Sequence, residues 1–127
     1  MSNTVLTIED QADIRHLIRM TLEFAGFEVI EAGDGAQGLA LARSRRPDLI
    51  LLDVMMPGIS GLEVGKALAA DPALSRIPVV MLTALAQDSD AAAGREAGAR
   101  AYLAKPFSPI ALLALVQGLI DQTQASA

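Results

Sequence analysis

The chain has no cysteine and no tryptophan, and aromatic residues make up only 3% of it, as one tyrosine and three phenylalanines. Without cysteine there is no disulfide, no thiolate nucleophile and no cysteine-ligated zinc. That absence fits a reducing compartment, and a cytoplasmic location is expected. With so few aromatics, the core has to be built from Leu, Ile, Val, Ala and Met. Positive charge is also short: ten Lys and Arg stand against fifteen Asp and Glu, for a formal net charge of −5. Neutralising a nucleic-acid backbone takes Lys and Arg. The one basic cluster, Arg43, Arg45 and Arg46, is too short for such a stripe and reads as the solvated end of a helix. No direct nucleic-acid binding is expected. No apolar run approaches the roughly 18 residues that span a bilayer, so no membrane insertion is expected. Met1-Ser2-Asn3-Thr4 does not lead into a secretory signal.

What is present is a moderately charged chain of 127 residues, 52% hydrophobic, the size of one domain. A fold of about this size hides roughly two-thirds of its unfolded surface, enough for a sizeable core. Residues 1–127 read as a single domain, with a core over about 4–121 and a frayed polar tail at 122–127. Thr4–Ile8 reads as a strand ending at Glu9-Asp10. Asp13–Ala25 follows with apolar residues at helical spacing (Ile14, Leu17, Ile18, Leu22, Ala25) and stops at Gly26. A second strand runs through Phe27, Val29 and Ala32. Asp34 can cap a second helix carrying Ala36, Leu39, Ala40 and Leu41, which ends before Pro47.

Leu49–Leu52 is an unbroken apolar strand ending at Asp53, of the kind buried on both faces in a parallel sheet. After a Met56-Pro57-Gly58 turn come a helix at Leu62–Ala70 and a strand at Pro78–Leu82 ending at Thr83. A helix at Asp88–Ala97, a strand at Arg100–Ala104 ending at Lys105 and a last helix at Ser108–Asp121 complete the order. Five βα units in succession predict an α/β fold, a doubly wound, five-stranded parallel sheet.

In an open parallel sheet, ligands bind beyond the carboxyl ends of the strands. Those ends here carry Glu9, Asp10, Asp53, Thr83 and Lys105. Three carboxylates brought together call for a cation, and a hard divalent ion such as Mg2+ suits oxygen ligands, with Mn2+ as an alternative. A metal held this way keeps positions open for a phosphoryl group. Lys105 and Thr83 offer an ammonium and a hydroxyl to its remaining oxygens. A carboxylate can itself be the nucleophile and form an aspartyl-phosphate, and Asp53 on the central strand is best placed.

With these residues the chain resembles the receiver domains of two-component response regulators, which have a flavodoxin/CheY-like fold. The resemblance runs from Val5 to Asp121. It rests on Glu9-Asp10, on DVMMPGISGLE from Asp53 to Glu63, on PVVMLTA with Thr83 and Ala84, and on AYLAKPFSP from Ala101 to Pro109. It implies that Asp53 is the phosphoacceptor in a phosphorelay. Glu9, Asp10, Asp53 and the backbone carbonyl of Met55 would hold Mg2+, with Glu9 acting directly or through water. Lys105 would contact the phosphoryl group, Thr83 would swing towards it, and Tyr102 would follow as an aromatic switch. The Lys105–Pro106 bond would be cis. The donor would be a histidine kinase or a histidine phosphotransfer protein. The output would pass to a downstream protein or a homodimer through the Asp88–Ala97 helix, the fifth strand and the last helix. The acid pair is Glu-Asp where many members have Asp-Asp. Met55 and Leu85 occupy the two variable positions that, in the family, tune phosphoryl lifetime.

Other signals compete with this reading. Gly33-Asp34-Gly35-Ala36-Gln37-Gly38 matches a dinucleotide-binding pattern, with Asp53 18 residues beyond Gly35. It follows the second strand, however, and Asp34 would put a carboxylate in a phosphate loop. A turn with Asp34 as helix cap is the simpler reading. His16, the single histidine, has no second ligand beside it and reads as a surface residue. The last helix spreads its apolar residues over an arc of about 220°, so that Leu112, Val116 and Leu119 face the sheet while Ile110 and Leu113 turn to a neighbour or to solvent. An aspartate-nucleophile phosphohydrolase would need an acid where Met55 stands. A receiver kept only for protein contacts would not need the full set of acids, Thr and Lys. The expected function is therefore a phosphorylation-dependent signalling switch, not an enzyme with an external product.

Overall fold

A computed structural model of the chain describes residues 3–56, 58–83 and 99–125. The strands are β1 (Thr4–Ile8), β2 (Glu28–Ala32), β3 (Leu49–Asp53), β4 (Val79–Thr83) and β5 (Ala101–Ala104). The described helices are α1 (Ala12–Phe24), α2 (Gly35–Arg45), α3 (Gly61–Ala70) and α4 (Pro109–Ala125). The helix expected at Asp88–Ala97 lies outside the described residues.

All five strands are parallel, in the order β2-β1-β3-β4-β5. The expected doubly wound sheet is therefore the observed one. Its two faces follow from the period of two along each strand. Val5, Leu49, Leu51, Val80 and Leu82 pack on one side with Ile18 and Leu22 of α1 and Leu112, Val116 and Ile120 of α4. Leu6, Ile8, Ile50, Leu52 and Met81 pack on the other with Ala42 of α2 and Val64 and Leu68 of α3. Strands buried on both faces need no polar alternation, which is why LILL at residues 49–52 is apolar throughout. Strand order reverses between β1 and β3, so the crevice for a ligand opens at their carboxyl ends.

Local chemistry sets the element ends. Gly26 takes φ +96° after α1, and the Asp34 side chain accepts from the Gln37 amide at 2.8 Å to cap α2. Ser60 caps α3 in the same way through the Glu63 amide. Gly58 has φ +78°, as a turn there requires.

Two helices bury only part of their apolar residues, and the last helix runs further than expected. In α1, Ile18 and Leu22 are buried and Ile14 is half-buried, but Leu17 and Ala25 are exposed. In α2, the sheet-facing residues are Gly35, Gly38 and Ala42; Ala36 and Ala40 are exposed, and Leu39 and Leu41 are half-buried at the flanks. The helix lies so close to β1 that a Cβ on Gly38 would collide with the Ile8 side chain, and one on Gly35 would come within 2.7 Å of Val64 Cγ2. Small residues, not large apolar ones, mark its buried face. At the other end of the chain, α4 continues to Ala125, so the stretch expected to fray from 122 is helical over most of its length. Gln and Ala, with no Gly or Pro, let the last turns propagate.

Candidate functional site

The register of β1 with β3 aligns Ile8 with Leu52, which brings the residues that follow β1 beside Asp53. Past their last ladder pair, the strands stay tied to their neighbours. The Glu9 amide donates to the Ala32 carbonyl at 3.0 Å, the Val54 amide to the Leu82 carbonyl at 3.0 Å, and the Lys105 amide to the Thr83 carbonyl at 2.7 Å. The site residues thus sit on hydrogen-bonded backbone. Glu9, Asp10 and Asp53 each offer a carboxylate oxygen, all within 4.8 Å of one another. Lys105 reaches between two of them, with Nζ 2.7 Å from Glu9 Oε1 and 3.3 Å from Asp53 Oδ2. The Met55 amide donates to Asp53 Oδ1 at 3.1 Å, and the Gln11 amide to Glu9 Oε2 at 3.4 Å. Gly61, at the start of α3, lies against the Asp53 carbonyl so closely that any side chain there would collide with it.

The charges do not balance. Glu9 is fully buried, and burial is the largest cause that lifts its pKa from 4.5 to about 7; the Asp53 carboxylate adds to the rise and Lys105 opposes it. Burial also works against the Lys105 ammonium, yet the hydrogen bond to Glu9 and the negative charge of Asp53 and Glu9 outweigh it and raise its pKa above 10.5. One ammonium thus faces three acids. Asp10 Oδ1 is buried with no hydrogen-bond partner. A buried oxygen of that kind normally has a partner, and a hard divalent cation would supply one. The donor set fits Mg2+, which takes one or two carboxylates and keeps some of its water. Among the three carboxylates, Asp10 Oδ1 is the buried oxygen without a hydrogen-bond partner, and so the first candidate for direct coordination.

The other predicted site residues fall around this cluster. Thr83 is buried at the end of β4, next to Ala104 in the β4–β5 register. Tyr102 is half-buried and packs against the core cluster on the α2–α3 side of the sheet. Met55 projects its side chain outward at 64% exposure. The Lys105–Pro106 peptide is cis. Ala84 and Leu85 lie outside the described residues. His16 is exposed on α1 and belongs to no acidic or metal-ligating cluster among the described residues. In the Gly33–Gly38 stretch, Asp34 caps α2, while Gly35 and Gly38 admit side chains from Val64 and Ile8. The Asp34 cap is the one the turn reading expected; that Gly35 and Gly38 serve helix packing was not foreseen.

Two features were missed. One is an apolar groove between α1 and α4, lined by Leu17, Met20 and Phe24 on one side and Pro109, Ile110 and Leu113 on the other, of about 380 Å³. Phe24 is 94% exposed and Ile110 82%. The outward apolar residues of the last helix therefore turn towards α1. Leu17 also lines a second hollow of about 340 Å³ with Gln11, Ile14, Lys105, Pro106 and Phe107, which links the groove to the acidic site. The spacing of Leu17, Met20 and Phe24 by three and four residues was a visible second stripe on α1. The other feature is Arg15, whose guanidinium bonds the Glu9 carbonyl; nothing in the sequence marks that contact.

The sequence profile of the response regulator receiver domain matches residues 5–117. The phosphate regulon transcriptional regulatory protein PhoB of Pseudomonas aeruginosa is 42% identical over 123 residues, covering 97% of this chain and 54% of that protein. The chain thus spans about half the length of such regulators. Among solved structures, the chemotaxis protein CheY4 of Vibrio cholerae is 36% identical with a TM-score of 0.90, over 94% of this chain and 99% of that one. The receiver domain of a sensor histidine kinase from Pseudomonas aeruginosa, solved with a magnesium ion coordinated in its active site cleft, is 30% identical with a TM-score of 0.88, over 95% and 99%. The expected absence of nucleic-acid binding draws no support from a relative that is a transcriptional regulator. No helix among the described residues is long and apolar enough to cross a membrane.

Proposed function

The chain belongs to the response regulator receiver family, and from that premise we propose that it is a phosphorylation-dependent switch with Asp53 as its phosphoacceptor. An Asp53 carboxylate oxygen attacks the phosphorus of a phosphohistidine on a kinase or phosphotransfer protein. The new O–P bond forms as the P–N bond breaks, and the imidazole leaves with the electron pair. Asp10, Asp53, Glu9 and the Met55 carbonyl would hold Mg2+, which when bound neutralises charge on the transferred group. Lys105 stands 3.3 Å from Asp53 Oδ2, so its ammonium is already in place for a phosphoryl oxygen.

Transfer replaces the single charge of Asp53 with an acyl phosphate. Lys105 then divides its contacts between Glu9 and the new group, and Thr83, one strand away, gains an anionic acceptor for its hydroxyl. Tyr102, half-buried on the neighbouring strand, is the side chain with room to change burial. The result is a population shift that alters the face made by β5 and α4. A downstream protein or a second copy reads that face. The donor protein docks along the α1–α4 groove, which reaches the acidic site through Leu17 and Lys105. On this reading the chain assists its own phosphorylation and a slow hydrolysis in the cytoplasm and releases no external product. A phosphohydrolase is disfavoured because the residue two beyond Asp53 is Met55, which carries no acid.

The observation that carries the proposal is Lys105 Nζ held between Glu9 and Asp53, beside the unpartnered Asp10 oxygen. Acetyl phosphate with Mg2+, followed by intact mass, tests it. A single-phosphoryl adduct on the wild type that is lost in Asp53→Asn is expected. No adduct, or an equal adduct on Asp53→Asn, refutes it.

A further inference from the structure

We propose that Arg15 is a positioning residue of the cation site, holding the peptide that joins Glu9 to Asp10. This rests on the reading of Glu9, Asp10 and Asp53 as that site. Arg15 Nη1 donates to the Glu9 carbonyl oxygen at 2.8 Å, and Arg15 Nε lies 3.4 Å from Glu31 Oε1 on β2. Glu31 also takes Arg19 Nη1 at 2.7 Å. The guanidinium therefore bridges a fixed carboxylate on β2 to the backbone just past β1.

The carbonyl that Arg15 grips is in the same planar unit as the Asp10 amide. With the Glu9 amide tied to Ala32 at 3.0 Å, the chain is pinned on both sides of Glu9. Rotation of that peptide would swing the Asp10 carboxylate, whose Oδ1 is buried and unpartnered. Arg15 acts through this backbone contact. Its fork geometry lets one side chain serve Glu31 and the carbonyl together, which an ammonium cannot do as well.

Charge and positioning predict opposite signs. As a cation near an acidic cluster, Arg15 repels Mg2+, and its removal also leaves Glu31 less compensated. Charge alone then makes Arg15→Met bind Mg2+ more tightly. Loss of positioning makes it bind more weakly, by about 10-fold or more, the range for groups that orient metal ligands. Arg15→Lys keeps the charge and separates the two further: charge alone predicts wild-type affinity, positioning predicts an intermediate loss.

The test is the Mg2+ dissociation constant by calorimetry at pH 8, with amide hydrogen exchange at Asp10 and Gln11 in metal-free protein. Weaker binding in Arg15→Met and Arg15→Lys, with faster exchange at those amides, is expected. Unchanged or tighter binding overturns the proposal. If Arg15→Met does not fold, Arg15→Lys decides by the same criterion. Asp10→Asn serves as the control for the underlying site. If it binds Mg2+ as well as wild type, the cation reading itself fails; if it loses binding while the Arg15 variants keep it, only the role of Arg15 fails.

Discussion

Replacing Glu9 by glutamine in metal-free protein should flatten the dependence of stability on pH between 4.5 and about 7, the two pKa values that bracket this group unfolded and folded. Across that interval the native state holds a proton that the unfolded chain has released. Stability therefore falls as pH rises. The contribution is complete below 4.5 and gone above about 7. A gap of about 2.5 units at about 1.4 kcal/mol each is a loss of about 3 kcal/mol. Water that reaches the site lowers this figure, so it is an upper bound. Lys105, with its pKa above 10.5, stays charged throughout. Urea unfolding in a chelator at pH 5 and pH 8 measures the effect: wild type should lose about 2–3 kcal/mol more than Glu9→Gln between the two. Mg2+ competes with the same proton. Its binding should release close to one proton at pH 6 and about a tenth of one at pH 8, and its affinity should rise with pH until about 7 and then level. Calorimetry in buffers of different ionisation heat reads that release. Parallel stability profiles for wild type and Glu9→Gln, or proton-independent Mg2+ binding at pH 6, would refute the reasoning.

Lys105→Met leaves two buried carboxylates without their cation and should cost about 3 kcal/mol in metal-free protein, with Mg2+ restoring part of the loss in a thermal melt. Asp10→Asn should weaken Mg2+ binding more than Glu9→Gln does above pH 7, because Asp10 Oδ1 is the oxygen without a partner; equal losses by calorimetry would contradict this. Gly38→Ala should destabilise by about 1–3 kcal/mol through collision with Ile8. Gly118→Ala, with nothing within 4 Å of its Cβ, should stabilise by up to about 1 kcal/mol, and chemical denaturation compares the pair. Phe24→Ser should leave stability within about 0.5 kcal/mol, since the ring is 94% exposed. It should slow transfer from a phosphohistidine protein while leaving labelling by acetyl phosphate unchanged.

The residues that end strands were legible because each is a short-range fact. An apolar run names a strand, and the next residue then sits at its carboxyl end whatever the rest of the chain does. Glu9, Asp10, Asp53, Thr83 and Lys105 were found in that way, and the sheet order places those of β1 and β3 together at the crevice. The faces of helices were less legible. In α2 the contact with β1 is so close that glycine and alanine face inward, which inverts the rule that large apolar residues mark the core. In α1, Leu17 continues the apolar spacing of Ile14 and Ile18 yet belongs with Met20 and Phe24 on an open groove. Arg15 was out of reach because its contact joins a side chain to a backbone carbonyl six residues away and to a carboxylate on another strand. No pattern of residue types encodes that.

The same short-range rule that collects acids at the strand ends also leaves the site overcharged. Glu9, Asp10 and Asp53 bring three carboxylates within 4.8 Å, and Lys105 answers only one of those charges. With its pKa raised to about 7, Glu9 can hold a proton below that pH and so lower the excess in the metal-free protein. On the proposed reading that solution would stop working once a phosphoryl group is added, because an acyl phosphate carries more charge than the carboxylate it replaces and Lys105 is already shared with Glu9. A divalent cation would relieve both states, taking the place of the proton before transfer and offsetting the added charge after it. If the proposed function holds, metal occupancy, the protonation of Glu9 and acceptance of a phosphoryl group are three readings of one charge balance, and a change in any one of them has to move the other two.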